Sequence, residues 1–235
     1  MMRRISLVTI DATNTIFKFR EPPPVIYKKF ADQHNIPICD SHAITPDFLK
    51  AISGVNKKWP HFGATSNVTS KDWWFEVIFE TFKDYDRSVI KPLAKDLYDF
   101  YATPEPYDIF EDFYPFAKEW KEKSDKGLVV ISNYDRRLPR ILNQLGLANF
   151  FDDVITSEEA KVSKPSPEIF DYVIKKIKFV RDPTEILHIG DDFEKDFHGA
   201  TKAGWNGALV NRKKESDVEN DVFNSLKDIS DHYFK

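Results

Sequence analysis

Cysteine is nearly absent from this chain: Cys39 stands alone in 235 residues. One thiol excludes an internal disulfide and any cysteine-built metal cage, and it suits a reducing compartment. Cys39 itself is expected to be a small hydrophobe within the fold. Glycine is scarce as well, at eight residues, which argues against a disordered linker or a fibrous repeat. No apolar run approaches the roughly 20 residues that span a bilayer. Met1 to Arg4 is too short to lead a secretory signal, and the apolar run behind it ends on an acid rather than a cleavage site. Charge of one sign is missing too. The 34 basic and 38 acidic residues leave a net charge of -4, with no broad attraction to polyphosphate or anionic lipid. A soluble, cytoplasmic protein is expected, partnered by neither nucleic acid nor membrane.

What remains is ample for a core. Hydrophobic residues make up 41% and aromatics 14%, including 20 Phe, enough for one large domain or two small ones. Ile5 to Ile10 is a short β-branched run with no polar alternation, the pattern of a strand covered on both faces. Similar runs recur at Leu128 to Ile131, Val154 to Ile155, Ile186 to Ile189 and Ala208 to Val210. Helical stretches at Leu138 to Leu145, Pro167 to Ile177 and Phe193 to Ala203 fall among them. Alternating strand and helix predict an α/β fold, a doubly wound, Rossmann-like parallel sheet.

Residues 19–104 differ, showing helical periodicity and almost no strand signal. They predict an all-helical insertion, with the core formed by 1–18 and 105–235. Its helices are expected at Val25 to His34, Pro46 to Lys57, Ser70 to Phe82 and Ser88 to Tyr101, with Ser70 and Ser88 as N-caps. Pro22, Pro23 and Pro24 on one side, and Pro104 and Pro106 on the other, predict stiff crossings. The apolar stretch Trp73, Trp74, Phe75, Val77, Ile78 is read as the insertion's own core.

Four polar clusters begin where apolar runs end. Asp11 leads Thr13, Asn14 and Thr15; Ser132 precedes Asn133; Lys164 precedes Pro165; Gly190 precedes Asp191, with Asp196 five residues further. An open α/β sheet collects ligands at the carboxyl ends of its strands, so the clusters are expected on one edge. Singly each is ordinary: an acid ending a strand, a Ser-Asn turn, one lysine among many. Together and in this order they describe a phosphoryl-transfer site.

In that order the clusters resemble the haloacid dehalogenase superfamily, mostly phosphatases with a helical cap inserted after the first motif. The resemblance covers nearly the whole chain. It implies that Asp11 is a nucleophile forming an aspartyl-phosphate, which divides one hard displacement into two easier ones. Thr15 would tie down the phosphate loop by hydrogen bonding. Ser132 would donate to a phosphoryl oxygen and Asn133 would add its backbone N–H. Lys164 would neutralise nucleophile and phosphate, with Lys161 a less well placed rival. Mg²⁺ is implied, held by Asp11, Asp191 and the carbonyl of Thr13, with Asp196 orienting ligands or water from behind. The substrate would be a small phosphorylated molecule admitted under the cap; the pattern fixes no oligomeric state.

The pattern departs at one place. Most phosphatases of the superfamily carry a second Asp, the general acid and base, two residues after the nucleophile, followed by Gly. Thr13 and Asn14 stand there instead. Threonine cannot exchange a proton near neutral pH, and positioned acid-base catalysis is worth roughly 10²- to 10⁴-fold. The expectation is therefore a weak, Mg²⁺-dependent phosphatase or phosphotransferase. The competing reading is a catalytically silent metal- or phosphate-binding module. A haloacid dehalogenase, which carries Tyr there and needs no metal, ranks third. Thr69-Ser70-Lys71-Asp72-Trp73-Trp74 and Ser132-Asn133-Tyr134-Asp135, with Arg137, are similar to a branch of the superfamily that also lacks the second acid.

Overall fold

The computed structural model describes residues 5–122, 127–178, 180, 182–212 and 221–234. The Met1 to Arg4 lead lies outside them. Six parallel strands form the main sheet in the order β5-β4-β1-β6-β7-β8. They are β1 (Leu7–Ile10), β4 (Gly127–Ser132), β5 (Asp153–Thr156), β6 (Ile186–Gly190), β7 (Asn206–Val210) and β8 (Val222–Phe223); β2 (Phe17–Phe19) and β3 (Tyr107–Ile109) make a separate antiparallel pair. The first strand is thus central, with β4 and β6 at its flanks.

Strand alternation distributes β1 between two apolar layers. Val8 and Ile10 join a cluster with Phe113, Phe116 and Trp120. Leu7 joins the opposite cluster, with Ile169, Phe170 and Val173. The first layer is covered by α5 (Phe113–Glu122), α6 (Leu138–Gln144) and α10 (Leu226–Tyr233); the second by α8 (Pro167–Lys176) and α9 (Gly199–Lys202). In α5 the buried residues are Phe113, Phe116, Ala117 and Trp120, one helical stripe. Each large buried side chain contributes roughly 1.5–3 kcal/mol, whereas ordinary helix propensities differ by about 0.7 kcal/mol at most. Packing therefore decides this aromatic-rich helix.

Between β2 and β3, α1 (Pro23–Gln33), α2 (Ser41–Lys58), α3 (Ser70–Thr81) and α4 (Arg87–Phe100) gather around a third cluster of their own, containing Tyr27, Phe48, Trp73, Val77 and Leu93. Four local readings need correction. The helix expected from Pro46 begins at Ser41, because Asp40 accepts the Ala43 N–H and caps it; Pro46 lies inside. Thr69 and Asp86, not Ser70 and Ser88, accept the capping N–H groups. The helix expected from Phe193 to Ala203 is a π-helical turn, Phe193–His198, followed by α9. Cys39 is exposed rather than packed.

The two crossings into the insertion are tied side by side. Phe17 pairs with Ile109 and Phe19 with Tyr107, and the Arg20 N–H donates to the Pro106 carbonyl at 2.9 Å. These three-residue strands are too short to register as a period-2 pattern. Among the described residues no helix is long and apolar enough to cross a membrane.

Candidate active site

All four sequence clusters converge at the carboxyl ends of β1, β4 and β6. Asp11, Thr13, Asn14, Ser132, Asn133, Lys164, Asp191 and Asp196 line one cavity of about 230 Å³. Asp11 follows β1 and its N–H donates to the Ile189 carbonyl at 2.8 Å, so the loop starts with the geometry of the sheet. Ser132 ends β4 and is buried.

Lys164 is the hub. Its ammonium lies 2.7 Å from Asp11 Oδ1, 2.6 Å from Asp196 Oδ1 and 2.7 Å from the Ile131 carbonyl. Its side chain is only 1% exposed. Three acceptors satisfy all three ammonium donors, which is what a buried charge of this kind requires. Asn133 fixes the Lys164 backbone from both sides: its Nδ2 donates to the Lys164 carbonyl at 2.8 Å, and the Lys164 N–H donates to its Oδ1 at 2.9 Å. The Lys164–Pro165 peptide is cis. Lys161, the rival cation, is exposed at the left-handed C-cap of α7 (Ser157–Ala160).

One oxygen from each of Asp11, Asp191 and Asp196 lies within 4.8 Å of the others. Burial raises the Asp11 carboxyl above its ordinary range, although Lys164 opposes it. Burial and the neighbouring Asp11 and Asp196 push Asp191 up to about 6. Burial would raise Asp196 too, but Lys164 and His188 outweigh it and hold it low. Lys164 would be depressed by burial, yet Asp11 and Asp196 hold its ammonium above the usual value. Three carboxylates against one ammonium leave two negative charges uncompensated, and hard oxygen donors suit a hard divalent cation. The donor set fits Mg²⁺.

Several residues do more, or less, than the sequence implied. Asp196 is engaged by Lys164, by His188 Nε2 at 3.1 Å and by the Asp192 N–H at 3.0 Å. His188 was missed. It sits fully buried in β6, between Asp196 and the Thr9 hydroxyl 2.8 Å from its Nδ1, and a polar residue inside an apolar run was the available signal. Asn14 takes a left-handed backbone, φ 61°, and its amide donates to Asp191 Oδ2 at 3.2 Å. The Thr15 hydroxyl, expected to tie the loop, is buried without a hydrogen-bond partner among the described residues. Its carbonyl instead accepts from Arg212 at 2.9 Å, whose guanidinium is also paired with Asp112. Ser166 holds the N-cap position of α8 but its side chain makes no capping bond.

Gly190 is required by close approach: a methyl group there would overlap the Asp196 carboxylate. Gly190→Ala must therefore move Asp196 or the strand end. We expect it to abolish any Mg²⁺-dependent rise in Tm, measured by scanning fluorimetry with and without 10 mM Mg²⁺, whereas the equivalent change at Gly54, where nothing lies nearby, leaves that rise intact.

The profile of the haloacid dehalogenase-like hydrolase family matches residues 5–204. The chain belongs to this family. Haloacid dehalogenase-like hydrolase domain-containing protein 3 of Homo sapiens is 30% identical over 210 residues, covering 88% of this chain and 82% of the relative. The Rhythmically expressed gene 2 protein of Drosophila melanogaster is 31% identical over 248 residues, covering 97% and 94%. Among solved structures, the putative HAD-hydrolase YfnB from Bacillus subtilis bound to magnesium aligns with a TM-score of 0.74 at 16% identity, over 99% of this chain and all of that one. A HAD phosphatase from Thermococcus onnurineus aligns with a TM-score of 0.66 at 22% identity over 97% of each chain. The doubly wound parallel sheet is thus the fold of this family.

Proposed function

We propose that the chain transfers phosphoryl groups through Asp11, with Mg²⁺ held by Asp11, Asp191 and the Thr13 carbonyl, and with the 19–104 segment acting as a cap. The observation that carries this reading is the buried Lys164 ammonium bonded to Asp11 beside two further carboxylates. A lysine in that position serves charge chemistry, since a buried ion network alone is weak evidence for stability.

Lys164 holds Asp11 Oδ1, so Oδ2 is the oxygen available to attack phosphorus. As the Asp11–phosphorus bond forms, the bond from phosphorus to the leaving oxygen breaks. Ser132 and Lys164 meet the negative charge spread over the equatorial oxygens. Bound Mg²⁺ would supply Lewis-acid neutralisation of the same charge. Asp196, bonded to Lys164 and His188, orients the lysine rather than attacking.

Thr13 sets the limits. The departing oxygen receives no proton from it, so leaving groups that depart unprotonated, such as carboxylates, are favoured. In the second step water attacks phosphorus and the Asp11–phosphorus bond breaks, but Thr13 cannot take the water's proton. The phosphoenzyme should therefore outlast that of a phosphatase carrying Asp at this position. The proposed substrate class is a small phosphorylated molecule with a good leaving group. The silent binding module is the second reading, favoured by Thr13 itself.

Incubation with Mg²⁺ and acetyl phosphate distinguishes them. We expect an acid-stable, hydroxylamine-labile phosphoryl adduct on Asp11 by mass spectrometry, absent in Asp11→Asn, with slow phosphate release. Thr13→Asp should raise release by about 10²-fold or more. No adduct on folded, metal-loaded protein supports the binding module; adduct with release unchanged by Thr13→Asp rejects the missing acid as the cause.

A further inference from the structure

The end of β4 and the loop after it carry Ser132 and Asn133 into the site, and the loop then turns back under the helical insertion. Asp135 lies within it, fully buried, and accepts the Trp74 indole N–H from α3 at 2.7 Å. Arg137 pairs with the same carboxylate through Nε and Nη2, at 2.9 and 2.7 Å. That guanidinium also donates to the Tyr98 carbonyl of α4 at 3.2 Å and lies over the Tyr98 and Trp74 rings, at 4.3 and 5.3 Å. One carboxylate and one guanidinium thus join two helices of the insertion to a loop of the sheet.

The consequence lies two residues upstream. Asn133 grips the Lys164 backbone through both amide atoms, and Lys164 grips Asp11. A path therefore runs from Trp74 by a hydrogen bond to Asp135, along the backbone of residues 135–133, and by the two Asn133 hydrogen bonds to Lys164. A second contact from the insertion reaches the residue before Lys164, since His61 Nδ1 lies 3.0 Å from the Ser163 hydroxyl. The Asp135–Arg137 pair is buried and charge-assisted, and a close-packed interior passes strain along rather than absorbing it, so a change at Trp74 is transmitted along the loop.

We infer that Asp135 is a positioning residue: it carries the seating of the insertion, through Asn133, to Lys164. The inference rests on the proposed role of Lys164, but its structural half is tested independently. Trp74→Phe keeps an aromatic ring beside Arg137 and removes the indole donor together with part of the ring that packs on Phe62 and Trp73. Trp73→Phe is the matched control, because the Trp73 indole donates instead to the Trp59 carbonyl inside the insertion, at 2.9 Å.

The experiment is amide hydrogen exchange on the full chain, with adduct formation from acetyl phosphate and Mg²⁺ measured in parallel. Trp74→Phe should raise exchange about tenfold in 132–137 and in 161–164, and slow adduct formation about tenfold with the acetyl phosphate concentration for half-maximal rate little changed. Trp73→Phe should raise exchange only within the insertion. Added exchange confined to α3 in both variants overturns the coupling. If wild type forms no adduct, the proposed function fails, while exchange at 161–164 still decides the coupling. Exchange that spreads as expected while adduct formation holds at the wild-type rate overturns the positioning role.

Discussion

Arg137→Met should lower folding stability by about 3–5 kcal/mol, the loss expected when one member of a buried ion pair is removed. It would appear as a large fall in the urea midpoint. Lys95→Met breaks an exposed i,i+4 pair with Asp99, whose side chains are 63% and 55% accessible. That change should cost no more than about 0.5 kcal/mol. The difference is burial: the Arg137 and Asp135 side chains are 8% and 0% exposed. Methionine fills much of the space but leaves the Asp135 carboxylate desolvated and, among the described residues, bonded only to Trp74 and the backbone N–H of residue 137.

Replacing both partners, Asp135→Leu with Arg137→Met, should recover part of that loss but not all. The charge is gone, yet the Trp74 indole N–H and the backbone N–H of residue 137 are left without an acceptor, at about 1–3 kcal/mol for each buried donor. The single variant should thus be less stable than the double one. A loss under 1 kcal/mol for Arg137→Met, or equal losses for the two, would show that this pair is not what fastens the insertion to the sheet.

The site was legible where an apolar run ended on a polar residue. Asp11 and Asp191 each follow, and Ser132 ends, a strand of four to six residues, and parallel strands bring their carboxyl ends together whatever the intervening length. The connections between those residues were less legible. That Asn133 uses its side chain on Lys164, that Asp196 is shared with His188, and that Arg212 holds the Thr15 carbonyl all depend on contacts across 31, 8 and 197 positions. Trp74 shows the same limit. Its apolar neighbours predicted insertion core, and Trp73 is buried there with Trp74 packed against it, but the Trp74 indole N–H also reaches Asp135, which the apolar pattern does not show. The misplaced caps have a local cause. Thr69 and Ser70, or Asp86 and Ser88, can all accept an N–H, and backbone torsion rather than residue type chooses between them.

Lys164→Met should have the largest chemical effect. Removing the ammonium bonded to Asp11 is expected to slow adduct formation from acetyl phosphate by about 10²- to 10³-fold, the range for loss of one preorganised charge-stabilising donor. The stability effect should depend on pH, and its sign follows from the carboxylates left behind. In metal-free wild type, Lys164 lowers both Asp11 and Asp196 against the upward push of burial. Without it, their folded values rise well above the unfolded value near 3.9. A carboxyl whose folded pKa is raised contributes stability at low pH and loses it as pH climbs through that raised value. The deficit of Lys164→Met relative to wild type should therefore be larger at pH 7.5 than at pH 5, read as Tm in EDTA. Mg²⁺ at pH 7.5 should restore part of it, because a divalent cation compensates the carboxylates that the ammonium no longer reaches. An equal deficit at both pH values, or adduct formation within threefold of wild type, would remove Lys164 from the centre of the site.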